Sequence, residues 1–376
     1  MAEWDWEDEW FLESIKLYKD LHVFELQDPT RVIEWTGEKN ICVAGYESFK
    51  RNEILQLLLP QKLYAKENQG LCPERDFKVE HGGFSDCPVY SLKHLPNTSL
   101  LLTSGPAENS IQVWETAAED SDAIKPISNI YAESKGENNW TKIATTSTNS
   151  SCVLHGSAVN NIHITELESK KSVYKLGENS SDAISNLNFL DCCTFLVCTV
   201  KGQLYLADTR EAQSVMKSRA TPSTLSGERW CMGVKHELQG VSTTGPSVAS
   251  LSSEGRMTLT DVRNFSVPVK RANCSIQEPG SNWDLMCIAW APLLDDSLSI
   301  SGFNGTVQIY DSKAWHVSAA EVEPIFIHKG HAITCPGEAL LVTAHVWHPC
   351  KPRTLLSSAS DGSLHVWDWK EIQSTD

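Results

Sequence analysis

The 376-residue sequence has few basic residues, no long apolar run and few of the motifs that mark catalytic sites. It carries 32 Lys and Arg against 48 Asp and Glu, which gives a formal net charge of −16. This charge repels a polyanion, and nucleic-acid binders usually carry a basic face or stripe. The basic pairs of this chain are isolated, so we expect no direct contact with nucleic acid.

A secretory leader and a membrane span are also missing from the pattern. The chain opens with MAEWDWEDEW, which is acidic where a secretory leader is basic, and it has no apolar run of 18 residues. We therefore expect an intracellular, soluble protein that does not bind a membrane. The 12 Cys are scattered through strand-like runs, which indicates reduced and buried thiols, including Cys192, Cys193 and Cys198.

Catalytic and cofactor motifs are scarce. The chain has neither a P-loop nor a G-x-G-x-x-G fingerprint. His81-Gly82-Gly83 is similar to the oxyanion loop of esterases, but the G-x-S-x-G nucleophile motif that accompanies it is missing. We expect no cofactor, and the two glycines are better explained by a turn in a loop.

One chemical alternative stays open at the C-terminal end. Cys335, His345, His348 and Cys350 fall within 16 residues and are suitable zinc ligands for a metal-dependent hydrolase. Against this reading, a strand points residues 345 and 348 to opposite faces, and no C-x-x-C pair is present to hold two thiolates together. A strand carrying Trp347 into the core explains the same residues without a metal.

The strongest positive signal is an internal repeat. Each copy has an apolar strand, a tight turn rich in Gly, Asn, Asp or Ser, and a second strand that alternates at period two, which predicts a hairpin. A further short strand candidate precedes each copy. The seven copies cover residues 40–60, 101–117, 151–169, 195–210, 248–263, 298–312 and 355–369.

The spacing of the repeats favours a propeller. The second strands end at Asp208, Asp261, Asp311 and Asp368, which are 53, 50 and 57 residues apart. Each unit has room for four strands and one long loop. A radial array of such sheets closes into a ring and leaves only short edges open. We expect an all-β chain with residues 21–376 as a single seven-bladed propeller.

The last unit resembles the WD40-repeat family. Gly330-His331 precedes Trp367 by the family's spacing, and Ser357, Asp361 and Trp367 stand where that family has a hydrogen-bonded tetrad with His331. The resemblance implies that His331 links Asp361 and Ser357 to the indole N–H of Trp367. Such a tetrad is structural rather than catalytic.

The other units depart from the WD40 pattern. Trp114 keeps Ser104 ten residues upstream, but only His81 is available as its histidine. Tyr310, Leu206 and Leu259 stand where the family has Trp, and these units are expected to rely on packing. Too few residues follow Trp367 for a fourth strand. The segment LHVFELQ at 21–27 is therefore predicted to pair beside HVWDW and close the ring, as in WD40 propellers.

Two regions outside the repeats are candidates for partner contact. Residues 1–20 form an acidic, aromatic segment that is predicted to be helical. Trp4, Trp6 and Trp10 in this segment either anchor a partner or pack on the propeller. The polar loops at 211–229 and 312–340 are longer than a turn requires, and binding residues concentrate in such loops.

Longer strings from residue 34 to 369, among them PERDFKVEHGGFSD and HPCKPRTLLSSASDGSLHVWDW, are similar to one branch of WD-repeat adaptors. This resemblance implies a non-catalytic scaffold, found in the cytoplasm, at spindle poles and in a nuclear pool. It further implies protein partners from the RNA-cleaving module of the Integrator complex and from microtubule-associated factors. The chain is then expected to act as a monomer within a hetero-complex.

Overall fold

A computed structural model gives the fold of this protein. The structure describes residues 14, 16–60, 76–106, 108–116, 122–132, 139–146, 151–211, 215–219, 227–235, 246–276, 283–333 and 340–370. Trp4, Trp6 and Trp10 lie outside the described residues, as does most of the segment 1–20. The prediction of a helix is wrong for residues 18–20, which are in a strand, and stays a prediction for the residues that are not described. Most of the loop at 211–229 lies outside them too.

The described chain is dominated by short β-strands. The first strands are β1 (Tyr18–Glu25), β2 (Thr30–Trp35), β3 (Asn40–Gly45), β4 (Asn52–Leu58), β5 (Lys78–Ser85), β6 (Ser91–His94), β7 (Leu100–Ser104), β8 (Ser110–Glu115), β9 (Lys125–Tyr131), β10 (Lys142–Ala144), β11 (Cys152–Gly156), β12 (His163–Glu166) and β13 (Ser172–Lys175). The remaining strands are β14 (Ile184–Phe189), β15 (Thr194–Thr199), β16 (Gln203–Asp208), β17 (Val215–Arg219), β18 (Trp230–Lys235), β19 (Ser247–Ser252), β20 (Arg256–Asp261), β21 (Lys270–Cys274), β22 (Cys287–Trp290), β23 (Ser297–Ser301), β24 (Val307–Asp311), β25 (Glu321–Val322), β26 (Phe326–His328), β27 (Val342–Trp347), β28 (Thr354–Ala359) and β29 (Ser363–Trp369).

These strands form seven sheets, each the blade of a propeller. In blades 1 to 4 the strand order follows the chain: β2 to β5, β6 to β9, β10 to β13 and β14 to β17. Blade 5 is β18-β19-β20-β21-β25, blade 6 is β22-β23-β24-β26 and blade 7 is β27-β28-β29-β1. The seven-bladed, all-β architecture expected from the repeat is confirmed.

The first strands of the blades line the centre of the ring. β2, β6, β10, β14, β18, β22 and β27 each contact the next in this order, and β27 contacts β2. The strands that precede the hairpins in the sequence are therefore the inner strands. Since inner strands of a propeller run in the same direction, residues at their beginnings meet at one end of the central channel.

The pattern of buried side chains along the strands shows where the core lies. β4 buries alternate residues over its first half, as a strand between two neighbouring blades requires. β28 and β29 of the last blade are buried at every position. The turn between them contains Gly362, whose φ of +90° is a conformation that glycine adopts without steric cost.

The outer strand of blade 7 comes from the other end of the chain. β1 pairs antiparallel with β29, with Leu21 opposite Trp367 and Val23 opposite His365. The strand begins at Tyr18, three residues before the segment 21–27 that the sequence assigned to it. Its first residue is 5% exposed and lies in the core of blade 7.

The loop between β24 and β26 of blade 6 returns to a neighbouring blade. β25 adds a fifth, parallel strand to β21, and the amide of Asn273 donates to the carbonyl of Ala320 at 2.8 Å. Trp315 from this loop is buried in the blade 5 and blade 6 core. Part of the segment 312–340 thus covers an exposed sheet edge. Among the described residues there is no helix with both the length and the apolar composition needed to cross a membrane.

Removing residues 1–28 takes away β1 and leaves β29 without its outer partner. We expect this truncation to abolish soluble, cooperatively folded protein, because Tyr18 and the strand hydrogen bonds are lost together. Circular dichroism melting of the purified protein measures the effect. A truncation of residues 1–13 retains β1 and is the control, expected to melt cooperatively. A full cooperative melt of the longer truncation would contradict the closure.

Candidate functional site

The central channel holds a cavity of about 290 Å³ at the inner strands. Its lining residues come from all seven blades, so no single repeat contains the site. The end of the channel where the inner strands begin is called here the channel mouth. It consists of Arg31, Tyr90, Trp140, Lys142 and Asp284.

An ion pair spans the channel mouth. Nη1 of Arg31 donates to Oδ2 of Asp284 at 3.1 Å, and Nη2 donates to the Asp284 carbonyl at 3.0 Å. Arg31 is the second residue of the inner strand of blade 1, whereas Asp284 precedes the inner strand of blade 6. The guanidinium side chain is 5% exposed and the carboxylate 29% exposed. The pair therefore joins two blades that are not neighbours in the ring.

Aromatic rings surround the Arg31 guanidinium. Its Cζ lies 3.8 Å from the ring centroid of Tyr90 and 5.0 Å from that of Trp140. The Tyr90 and Trp140 rings meet edge to face at 5.1 Å. Cation–π contact and the ion pair act on the same planar group, which holds it in one orientation.

Lys142 is the second cation of the channel mouth. Its Nζ lies 3.0 Å from the ring centroid of Trp140. Lys142 lies deep inside the ring, although part of its side chain is exposed to the cavity. Burial and then the charge of Arg31 lower the pKa of Lys142 well below its usual value, and Asp284 opposes this shift.

No sequence motif marked these residues. Arg31 and Asp284 are 253 positions apart, and the residues that precede each of them have a composition that is ordinary for loops. The signal that could have found them is position: Arg31, Lys142 and Asp284 all lie at or just before the start of an inner strand. A third cation of the cavity, Lys93, pairs with Glu34 at 2.7 Å.

The tetrad residues predicted in the last blade lie close together. Nε1 of Trp367 donates to Oγ of Ser357 at 3.1 Å, and Ser357 Oγ lies 2.8 Å from Nε2 of His331. Ser363 lies between His331 and Asp361: its Oγ is 2.7 Å from His331 Nδ1 and donates to Asp361 Oδ1 at 2.6 Å. Sequence spacing did not anticipate this fifth member.

The Asp361 carboxylate determines the direction of every hydrogen bond in the series from Asp361 to Trp367. Asp361 only accepts, so Ser363 donates to it and accepts from His331 Nδ1–H. Nε2 of the neutral imidazole then accepts from the Ser357 hydroxyl, whose oxygen accepts from Trp367. Burial, followed by His365 and His328, keeps the pKa of His331 well below its usual value, which is consistent with this neutral tautomer.

His328, His331 and His365 form a buried histidine cluster at the seam of blades 6 and 7. The His331 and His365 rings stack at 3.7 Å, and His328 stacks on Trp367 at 4.5 Å. The hydroxyl of Tyr18 lies 2.7 Å from Nδ1 of His328. The closing strand β1 is thereby tied to the same seam as the tetrad.

The possible ligand atoms of the histidine cluster lie within 4.8 Å of one another, a distance at which they could bind one metal ion. His328 bonds Tyr18 and His365, and His331 bonds Ser363 and Ser357. Of the six ring nitrogens only His365 Nε2 has no hydrogen-bond partner among the described residues. Stacked rings with occupied nitrogens do not converge on an ion, so this cluster does not fit a metal.

The zinc alternative at the C-terminal end fails on geometry. Both ring nitrogens of His345 lie 2.7 Å from serine hydroxyls of blade 6, those of Ser299 and Ser301. His348 Nδ1 instead accepts from the amide of Cys350 at 3.0 Å. These three residues form no ligand group in the described part of the chain. Cys335 lies outside it.

His345 belongs to a second polar seam that the sequence did not reveal. Trp347, two residues along the same strand face, donates from Nε1 to the Ser299 hydroxyl at 2.8 Å. A histidine, an indole and a serine thus recur between β27 and β23 of the preceding blade. Burial lowers the pKa of His345 to about 4.

The expected partners of Trp114 are wrong. Its Nε1 donates to Thr103 at 2.8 Å, while the Ser104 hydroxyl donates to the carbonyl of Thr141 in blade 3. His81 lies on β5 and its Nδ1 is 3.0 Å from Gln56 Oε1. Ser104 has the spacing of the tetrad serine, but strand register presents the neighbouring threonine to the indole.

The cysteines follow the expectation only in part. The ten described cysteines are all free thiols. Cys198 is buried, and burial raises its pKa to about 12. Cys192 is exposed in the turn after β14, where burial was expected. The apolar run FLDCCTFLV is interrupted by this turn, because Asp191 accepts from the amides of Cys193 and Thr194.

Comparison with known proteins gives near full-length relatives. The chain is 53% identical to the Xenopus laevis protein named Integrator complex assembly factor WDR73, over 96% of this chain and 98% of that protein. The Mus musculus and Homo sapiens proteins of the same name are 47% and 46% identical, over 98% and 97% of this chain and 99% and 98% of theirs. No family model matches the chain.

The chain belongs to the WDR73 family. The identity of 47–53% extends over 96–98% of the chain. The seven blades and the hydrogen-bonded Ser357 and Trp367 agree with a WD-repeat protein. WDR73 relatives therefore share this ring.

Replacing Ser357 with alanine removes the common partner of Trp367 and His331. Two buried polar groups lose a hydrogen bond, so we expect the free energy of unfolding to fall by about 2–4 kcal/mol. Denaturant titration measures this change. Ser250→Ala is the matched control, since Ser250 is fully buried but its hydroxyl has no partner among the described residues. Equal effects of the two substitutions would contradict a stabilising tetrad.

Acid should destabilise the propeller through its buried histidines. Burial lowers the pKa of His155, His345 and His365 to about 4, from an unfolded value near 6.5. Below about pH 6.5 the unfolded chain binds more protons, so each histidine removes about 1.4 kcal/mol of stability per pH unit until its folded pKa is reached. The stability is complete above that window and decreases as the pH falls from 6.5 toward 4.

Denaturant titration from pH 7.5 to 5 measures this slope. His365→Phe keeps a ring in the stack and removes one titrating group, so its slope should be shallower by about one proton. An unchanged slope in this variant, or stability that does not decline with acid, would contradict the assignment.

Proposed function

We propose that this protein is a non-catalytic scaffold that assists assembly of the Integrator complex. The observation that carries this proposal is its identity of 46–53% to relatives that bear the name Integrator complex assembly factor. The rigid ring supports the proposal, because closed sheets hold loops and edges at set separations for several partners.

The finer parts of the proposal come from the sequence resemblance. Within Integrator, the RNA-cleaving module is the proposed client. Microtubule-associated factors are proposed as a second group of partners, with cytoplasmic, spindle-pole and nuclear pools of the protein. A ring that acts by binding requires no bond-making group, and the protein then acts as a monomer within a hetero-complex.

The hydrolase alternative gains no support from the site. His345 bonds two serines across a blade seam, and His348 accepts from the backbone two residues away. Neither imidazole is directed at a shared ligand position with Cys350. The polar groups that are best organised, those around Ser357 and the channel mouth, hold blades together.

Affinity capture from cells tests the scaffold. The wild-type chain is expected to recover subunits of the Integrator cleavage module, identified by mass spectrometry. Replacing Trp4 and Trp6 together with alanine should lower this recovery about tenfold, because aromatic anchors dominate interface energy. Phe49→Ala is the control, since Phe49 is a fully exposed aromatic residue on the propeller.

Two results would count against these proposals separately. Recovery of no Integrator subunit by the wild-type chain would overturn the scaffold function. Equal recovery by the wild type and the tryptophan variant would leave the scaffold intact and reject the N-terminal anchor.

A further inference from the structure

When Lys142 is protonated, the channel mouth has one more positive than negative charge. The described cavity is lined by three cations, Arg31, Lys93 and Lys142. Arg31 pairs with Asp284 and Lys93 with Glu34. Of the acidic groups that the structure describes, none lies within ion-pair distance of Lys142, whose contact is the Trp140 ring. A cation held inside a protein without a counter-charge is costly.

Asp284 relieves this deficit only in part, because it also pairs with Arg31. Its carboxylate and its carbonyl both accept from the guanidinium. Arg31 and Lys142 face the same Trp140 ring, at 5.0 Å and 3.0 Å from its centroid. Their mutual repulsion contributes to the lowered pKa of Lys142, and this repulsion would decrease if an anion entered.

The size and walls of the cavity limit what enters. Its volume of about 290 Å³ accommodates one or two side chains with their backbone, not a folded domain. Tyr90, Trp140 and Trp283 contribute aromatic surface to the lining. Such walls favour an apolar stem that carries a polar group at its end.

We propose that the channel mouth binds a carboxylate presented on an extended peptide, with Lys142 as its ion-pair partner and Trp140 and Tyr90 as the walls. The carboxylate belongs to an acidic side chain or to the end of a chain. One carboxylate matches the single uncompensated charge. A phosphate group is bound best by a free guanidinium fork, and that of Arg31 is occupied by Asp284.

A peptide suits the site better than a free anion. The net charge of −16 repels small anions at long range, whereas a peptide gains contacts along the aromatic walls. This site adds a binding function to the ring and does not depend on which complex the protein serves.

Lysine labelling tests the proposal at the site itself. The wild-type protein is acylated with a water-soluble amine reagent, and the labelling rate of each lysine is followed by mass spectrometry. The probes are three peptides: acetyl-Leu-Glu-Leu-amide, acetyl-Leu-Gln-Leu-amide and acetyl-Leu-Gln-Leu as the free acid. They are added to about 20 mM, since a single ion pair with aromatic contacts gives a millimolar Kd.

Labelling of Lys142 should slow about threefold or more with the glutamate peptide, the free acid or both, and these two arms identify the source of the carboxylate. The neutral peptide should have no effect, and exposed Lys171 should label equally throughout. Equal slowing by all three peptides, or none by any, would overturn the proposal. Stronger protection by inorganic pyrophosphate would identify a phosphate site instead and also overturn it.

A variant gives an independent measurement. Lys142→Met keeps an unbranched side chain over Trp140 and removes the charge. Calorimetry should then show that the peptide that protects Lys142 binds about tenfold more weakly, or weaker still. Lys171→Met removes the same charge from the surface and should bind as the wild type does. Unchanged affinity in the Lys142 variant would contradict the proposal. If that variant does not fold, the labelling of the wild-type chain decides.

Discussion

The pairing of β1 with β29 is the constraint on which the remaining structure depends. Seven sheets can surround a channel only if the last one meets the first, and the last blade takes its outer strand from the beginning of the chain. Closure removes the long free edges that an open array would expose. The inner strands then hold each other at a common distance from the axis, and the cavity forms because of that ring.

Polar side chains reinforce this closure where blades 6 and 7 meet. Tyr18 brings the closing strand to His328, and the stacked histidines connect it to Ser357 and Trp367. In a buried, low-dielectric seam each hydrogen bond is strong and each missing partner is costly. The histidines are neutral because burial disfavours their charged forms. The seam therefore loses stability as the pH falls below about 6.5, where the unfolded chain binds protons.

The channel mouth shows how a propeller can build a specific binding site from several blades. Its charged groups come from blades 1, 3 and 6, and their positions are held by the sheets rather than by a loop. A site of this kind is formed before its ligand arrives, which lowers the entropy lost on binding. That property suits a protein of the WDR73 family, whose named relatives are assembly factors.

The sequence by itself determined the seven hairpins, their inner strands and the grouping of His331, Ser357, Asp361 and Trp367. These features depend on period-two alternation and short spacings, which are local properties of the chain. Only the tertiary structure decided that Arg31 meets Asp284, that Ser363 enters the tetrad and that Thr103 serves Trp114. Those contacts depend on ring closure and on strand register. Both bring together residues that can be hundreds of positions apart, and neither produces a repeating pattern in the sequence.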